Sequence, residues 1–458
     1  MQPTPSLSAV LSSLLSAHAE LSGALQVAGA VVRSDGKIEE SWGQSADSRT
    51  VFRIASMTKS FSAALVLMLR DEGVLELDRP IANYAQELAS VVGPGASPKA
   101  ITLRDLLSMS SGLVTDDPWA DAHLDATDDE LDEWVRRGLR FAHPTGTHFE
   151  YSNVGFALVG RVVHRVTGQR LQDLVSSRIL GPLGMAHTVW DEDSLPLGSE
   201  IATGWTLATG TLTKVRPLGD GVIAPMGGLW STCEDLAAWV GTMSRAFLDD
   251  DNTGPIRNST LREMQQIQRG YGTRVSTGVD GLEFCANGGY GFGLNIHLDA
   301  QATSIWHSGG LPGYGSTMRW VPGGNGVVLL ANLTYAQMTV AGARLIDALR
   351  KHGHLAVASK PIDSDAELVA RALVELFNDW STEKANTLFA DNVFNDASNS
   401  VRQGEINAKL SGQKAEFVSV DLDSGPILIL RVGPSVHRVR FSFAPIAPAQ
   451  VQWYSWLS

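Results

Sequence analysis

Phe52-Arg-Ile-Ala-Ser-Met-Thr-Lys59 places a serine and a lysine three positions apart, and Phe61, Leu65, Met68 and Leu69 follow at i, i+4, i+7 and i+8 before Gly73. This spacing predicts a helix that opens near Ser56 and stops at Gly73. Positions i and i+3 of a helix share a face, with Cβ atoms about 5–6 Å apart, so Lys59 can reach the Ser56 oxygen. A serine hydroxyl is a poor nucleophile until a base takes its proton. At a helix start, unpaired N–H groups and the helix dipole favour the negative charge that develops. Ser-X-X-Lys alone is a weak signal. Ser381-Thr-Glu-Lys384 has the same form and reads as an N-capped surface helix.

Two distant stretches give Ser56 its meaning. Tyr151-Ser-Asn153 follows the turn-rich Pro144-Thr-Gly-Thr-His-Phe-Glu150 and precedes a helical pattern from Phe156 to Val166. It offers a phenol for proton transfer and an amide for gripping a substrate carbonyl. The plainer reading is a packed aromatic with a helix N-cap at Ser152 or Asn153. His307-Ser-Gly-Gly310 stands at the end of an expected strand. There the glycines let a ligand approach the backbone, and a backbone N–H can serve an oxyanion. A lone His before glycines is otherwise a turn residue.

Around these stretches the pattern is mixed. Leu25–Val32 and Lys37–Trp42 read as a hairpin across Ser34-Asp-Gly36. Residues 80–250 are mainly helical, with Thr102 as an N-cap and Asp235 in the first turn of another helix. Gly291–Leu298, Thr303–His307, Ser316–Val321 and Gly326–Leu333 read as an antiparallel meander, followed by a helix from Ala336 to Lys351. Gly288-Gly-Tyr-Gly-Phe-Gly293 is expected to open its first strand. Strands at both ends with helices between them predict an α+β architecture, one antiparallel sheet flanked by helices with a helical insertion.

A linker is expected over 356–365, dividing a domain at 1–355 from a smaller one at 366–458. In the latter, Ala366–Trp380 and Thr382–Phe389 read as helices. Phe417–Leu422, Ile427–Val432, Val436–Phe443 and Val451–Trp456 read as strands. Their order is similar to nuclear-transport-factor-like or lipocalin-like modules, an α+β or barrel-like unit. The aromatic Trp453-Tyr-Ser-Trp456 reads as core or interdomain packing.

In their order, the Ser-X-X-Lys, Tyr-X-Asn and His-X-Gly elements resemble the serine β-lactamase and penicillin-binding-protein family. That family includes class C β-lactamases, D-alanyl-D-alanine carboxypeptidases, D-aminopeptidases and family VIII carboxylesterases. The resemblance covers roughly residues 20–350 and extends to Ile101-Thr-Leu-Arg-Asp-Leu-Leu-Ser-Met-Ser-Ser-Gly112 and Gly227-Gly-Leu-Trp-Ser-Thr232. It implies that Ser56 is acylated and that Lys59 and Tyr151 form the proton-transfer pair, with the base unassigned between them. It further implies that Asn153, His307 and Gly309 meet the substrate, that the backbone N–H groups of Ser56 and Gly310 form the oxyanion hole, and that water releases the acyl group. His307 departs from the lysine of many β-lactamases. An imidazole with an ordinary pKa near ~6.5 is largely neutral at pH 7 and charges on acidification. Small esters or amides, including D-amino-acid peptides, are therefore the expected substrates. The same acyl-enzyme would serve an acyl transferase or peptide cyclase, while His307 disfavours a β-lactamase and the complete motif set disfavours a non-catalytic penicillin-binding sensor.

Bulk properties agree. Of 458 residues 19% are charged, with a net charge of −13, which argues against phosphate neutralisation and hence nucleic-acid binding. No apolar run reaches the ~18–20 residues that span a bilayer. Met1–Glu20 lacks a basic region ahead of its apolar residues and reads as an amphipathic helix, not a signal peptide. Cys233 and Cys285 stand apart from any metal-binding pattern and read as reduced buried thiols. A cytoplasmic enzyme without cofactor or metal is expected, with no nucleic-acid or membrane partner and its oligomeric state open. No Gly-X-Ser-X-Gly elbow, His-Glu-X-X-His or P-loop offers another chemistry.

Overall fold

Val27-Ala-Gly-Ala-Val-Val32 and Gly326-Val-Val-Leu-Leu-Ala331 are buried along their whole length, as continuous apolar runs should be in the middle of a sheet covered on both faces. In the computed structural model, which describes residues 4–208, 210–248, 253–277, 281, 283–298, 303–355, 364–421 and 425–457, these two strands pair antiparallel. The chain forms two compact units, Met1–Ala358 and Ser359–Ser458. Most of the linker expected over 356–365 lies outside the described residues.

The first unit is built on an eight-stranded antiparallel sheet. Its strands are β1 (Val27–Val32), β2 (Ile38–Gln44), β7 (Arg269–Thr277), β8 (Glu283–Tyr290), β9 (Asn295–Leu298), β10 (Thr303–Leu311), β11 (Tyr314–Trp320) and β12 (Gly326–Ala331). Their spatial order is β2-β1-β12-β11-β10-β9-β8-β7. Alternation along β1 and β12 divides two cores. Val27, Val31, Val327 and Leu329 face α1 (Leu7–Ser22) and α10 (Met338–Lys351), whereas Ala28, Ala30, Val328 and Leu330 join the large helical core. A Cβ at Gly29 would stand 2.4 Å from Leu15 Cδ1, so glycine lets α1 lie directly on the strand.

The helical core holds α2 (Thr58–Asp71), α3 (Leu103–Leu107), α4 (Asp117–Asp121), α5 (Asp128–Arg137), α6 (Val154–Thr167), α7 (Leu171–Val175), α8 (Cys233–Arg245) and α9 (Asn258–Met264). Thr102 and Asp105 form a reciprocal capping box on α3, and Thr232 caps α8 by accepting from Asp235 N–H. Short strands β3 (Phe52–Arg53) and β6 (Trp230–Ser231) pair with each other, and β4 (Trp205–Ala208) pairs with β5 (Thr211–Lys214). The unit is α+β.

Three expectations need correction. β10 does not end at His307 but runs to Leu311, because Gly309 and Gly310 continue the ladder opposite Ser316 and Gly315. The meander begins earlier, at β7. Gly288 and Gly289 sit within β8, and Gly291–Gly293 form the turn after it. A Cβ on Gly293 would lie 2.6 Å from the Lys59 carbonyl oxygen, and its own φ is +68°. The glycine-rich run therefore lets a turn lie against α2.

In the second unit α11 (Ser364–Asn378), α12 (Thr382–Leu388), α13 (Val393–Asp396) and α14 (Asn399–Leu410) precede an open sheet. Its order is β13 (Ala415–Asp421), β14 (Ile427–Val432), β15 (Ser435–Phe443) and β16 (Val451–Leu457). Leu422, expected in the first of these strands, lies outside the described residues. Phe377, Phe389 and Tyr454 share its core, with Trp456 against them, while Trp453 is exposed. Ser381 caps α12 by accepting from Lys384 N–H. Cys233 is buried and free, and the side chain of Cys285 lies outside the described residues. Among the described residues no helix is long and apolar enough to cross a membrane.

Candidate active site

Ser56 occupies a 3-10 turn, Ala55–Met57, between β3 and α2. The turn is held from two sides. Ile54 N–H donates to Leu229 O at 3.0 Å, and Ser316 Oγ donates to Ile54 O at 2.7 Å. Ala55 has φ +49°, a left-handed conformation rare outside glycine and often found where a site requires it. Ser56 itself stays partly exposed.

Lys59 lies one turn on and is fully buried. Its Nζ sits 2.6 Å from Asn153 Oδ1, 2.8 Å from Met226 O and 2.9 Å from Ser56 Oγ. The first two partners can only accept. They fix two of the nitrogen's hydrogens and aim its third position at Ser56. That position is an N–H in the ammonium and a lone pair in the amine. Burial lowers the Lys59 pKa to about 7, against the opposing pull of Asp117, Asp116 and Asp121. The ammonium and amine forms therefore exchange near neutrality.

Tyr151 stands beside this pair, with Lys59 Nζ 4.8 Å from its ring centroid. Burial, then Tyr290 and Asp117, push its phenol well above the ordinary value. It is a protonated hydroxyl at neutral pH, suited to giving and relaying a proton. Asn153 is almost fully engaged, since Oδ1 accepts from Lys59 and Nδ2 donates to Asp117 Oδ1 at 2.7 Å. One amide hydrogen remains for a ligand.

His307 projects from β10 toward the same centre, its ring 6.3 Å from that of Tyr151. Nδ1 lies 2.7 Å from Ser308 O, which can only accept, so Nδ1 carries the hydrogen. Nε2 then accepts from the Tyr290 hydroxyl at 2.9 Å. Burial, with Lys59 nearby, lowers the His307 pKa to about 3. The expectation that His307 charges near ~6.5 is thus overturned by its burial. Gly309 and Gly310 run past the Ser56 turn. A Cβ on Gly309 would meet Ile54 O at 2.2 Å, and one on Gly310 would meet Tyr335 Cδ1 at 2.2 Å. The close approach those glycines permit is to this chain's own residues.

Lys59 thus stands against Ser56, with Asn153 and Tyr151 beside it, His307 beside Tyr151 and Gly309 against the Ser56 turn, and residues 12–351 match the family model described as Beta-lactamase. The chain belongs to the beta-lactamase family. Within it, Beta-lactamase-like protein 2 of Dictyostelium discoideum is 29% identical over 278 residues, covering 58% of this chain and 46% of that protein. Unguisins hydrolase ungD' of Aspergillus campestris is 24% identical over 308 residues, 65% of this chain and 55% of that protein. The chain thus spans about half the length of these two curated relatives. Among solved structures, the octameric penicillin-binding protein homologue from Pyrococcus abyssi superposes with TM-score 0.61 at 18% identity, over 95% of this chain and 90% of that one. A D-stereospecific amidohydrolase from Streptomyces sp. does so with TM-score 0.57 at 23% identity, over 74% of this chain and 98% of that one.

This beta-lactamase-family site contains groups that no local sequence pattern marks. Asp116 accepts from the backbone N–H groups of Asn153 and Val154 at 2.7 and 2.9 Å, capping α6 from a different segment. Asp117 holds Asn153, and Asp121 accepts from the Tyr335 hydroxyl. Burial raises the carboxyl of Asp121 to about 6. Asp116-Asp-Pro-Trp-Ala-Asp121 reads locally as a helix start with proline in its first turn, which hides any link to Asn153. Tyr290 was hidden within the glycine-rich run. Among the described residues, no cluster of His, Cys, Asp and Glu is placed to hold a metal.

Proposed function

We propose that the chain is a serine hydrolase that forms an acyl-Ser56 intermediate on small esters or amides. The observation that carries this reading is Lys59 Nζ, held by two carbonyl acceptors with its third position on Ser56 Oγ. In the amine form Lys59 takes the Ser56 proton as Oγ attacks the substrate carbonyl carbon. The carbonyl π electrons move to oxygen, and the backbone N–H groups of Ser56 and Gly310 receive that charge. Tyr151 gives its proton to the leaving alkoxide or amine as the carbonyl–heteroatom bond breaks, and recovers one from Lys59. Water then attacks the ester and releases the acid. Lys59 rather than Tyr151 is the base in this reading, because burial favours the neutral form of both groups: the amine accepts a proton, the phenol keeps one.

His307 supports uncharged substrates. Both ring nitrogens are engaged within the protein, and the ring carries no charge for a substrate carboxylate. A charged hydrogen bond is worth about 1.5–3 kcal/mol against about 1 for a neutral one, so a carboxylate loses several-fold in affinity or more. The hydrolase and amidohydrolase named among the similar proteins agree with ester or amide cleavage. The deciding experiment is a panel of p-nitrophenyl esters, D-amino-acid amides and a penicillin, read by kcat/KM. The penicillin being cleaved fastest would overturn the preference for uncharged substrates.

A further inference from the structure

Aromatic side chains join α4 to α5. Trp119 meets Trp134 edge-on, with ring centroids 4.6 Å apart, and His123 stacks on Trp119 at 4.4 Å. After α5 the chain turns at Gly138, φ +95°, and pairs back, Val114 N–H donating to Arg140 O at 3.2 Å. These segments line a cavity of about 460 Å³. Sites for small molecules run from about 300 to 1,000 Å³. Trp119, Trp134, Arg137 and Arg140 stand in its wall together with Asp116 and Ser152, whereas Ser56, Lys59, Tyr151 and His307 do not. Trp119 is 39% exposed, and Arg137 and Arg140 are exposed, so the cavity opens to solvent. The charges in this wall are unbalanced. Arg136, next to Arg137, is paired with Glu133. Among the described residues Arg137 and Arg140 have no carboxylate partner. Asp116, the acid in the wall, is engaged elsewhere, accepting from the backbone N–H groups of Asn153 and Val154 at 2.7 and 2.9 Å.

We infer that this cavity is a second binding site, separate from Ser56, and that it takes a small aromatic carboxylate. The aromatic ring packs against the two indoles, which offer flat apolar surface at little cost in side-chain freedom. The carboxylate meets Arg137 and Arg140, whose planar guanidinium groups match its two oxygens. A neutral aromatic leaves both cations unanswered, and an aliphatic acid forgoes the indole wall. An aromatic cation is repelled. The inference does not depend on the acyl-Ser56 reading. The site adjoins the Tyr-X-Asn segment, since Ser152 stands in its wall and Asp116 holds the N–H groups of Asn153 and Val154.

The test is titration calorimetry of the full chain with 2-naphthylacetate and its neutral amide, 2-naphthylacetamide. The acid should bind saturably and the amide about tenfold more weakly or worse, as charged hydrogen bonds exceed neutral ones. Arg137→Gln with Arg140→Gln changes two exposed side chains, and should weaken the acid to the level of the amide. Arg136→Gln should leave both affinities unchanged, and Trp119→Leu should weaken both. Enzyme blocked at Ser56 by a fluorophosphonate should bind the acid as tightly as unblocked enzyme. No saturable binding, or equal binding in the double arginine variant, overturns the proposal. Loss of binding on blocking Ser56 also overturns it, because the probe then sits in the catalytic cleft. If Ser56 does not label, the hydrolase reading fails, and the arginine variants still decide the cavity.

Discussion

Oδ1 of Asn153 accepts a hydrogen bond from Nζ of Lys59 at 2.6 Å, tying the Tyr-X-Asn segment to the helix that follows Ser56. The amide thus holds the lysine as well as facing the cleft. Asn153→Ala should lower kcat by about 10²–10⁴, the range of a misplaced acid–base group. An effect confined to KM would show that Asn153 only binds substrate.

The pH profile follows from Lys59. In the proposed reaction its amine form takes the Ser56 proton, so kcat/KM should rise with pH through about 7. Asp117 favours the ammonium, so Asp117→Asn should move that rise to lower pH. The same shift bears on stability. The folded pKa lies below the ordinary lysine value of 10.5, so the unfolded chain binds more protons between the two values. The Lys59 contribution to stability should therefore increase with pH from about 7 toward 10.5. A rise in kcat/KM that does not move in Asp117→Asn would assign the base elsewhere.

How much of this was legible beforehand follows from where the information lies. Ser56 with Lys59, the Thr102 cap and the buried strands are local patterns, and the chain carries them in full. The acids at 116, 117 and 121 depend on a segment from one helix capping another, which no local pattern encodes. Strands β7 and β8 are rich in glycine and polar residues and lack clean alternation. Helix α14, Asn-Ser-Val-Arg-Gln-Gly-Glu-Ile-Asn-Ala-Lys-Leu, buries only Ile406 and Leu410. The His307 pKa turns on burial, and its Nε2 is met by the Tyr290 hydroxyl, from a strand that is not adjacent in the sheet.

Because His307 stays neutral, acid should not improve the handling of carboxylates. The ratio of kcat/KM for a carboxylate-bearing ester to that of its neutral analogue should show no His307 transition between pH 5 and 8, the range in which an ordinary histidine titrates. Tyr290→Phe frees Nε2 and removes its donor, and should lower stability by about 1–3 kcal/mol. A ratio climbing as pH falls through ~6.5 would mean that the imidazole titrates as an ordinary histidine.

The second unit has its own aromatic core, around Phe377, Phe389 and Tyr454. Phe389→Ala should destabilise that unit by about 3–5 kcal/mol in denaturant unfolding. Ser56 labelling by a fluorophosphonate should proceed at the wild-type rate under native conditions. A labelling rate that falls with the mutation would make the second unit part of the catalytic apparatus.

The most direct test is the adduct itself. Rapidly quenched wild-type enzyme, mixed with p-nitrophenyl acetate and digested, should carry one acetyl group on the peptide containing Ser56. In Ser56→Ala the adduct should vanish and turnover should fall by several orders of magnitude, toward the ~10⁶ known for other serine nucleophiles. An acetyl group found on another residue, or turnover surviving in Ser56→Ala, would contradict the account.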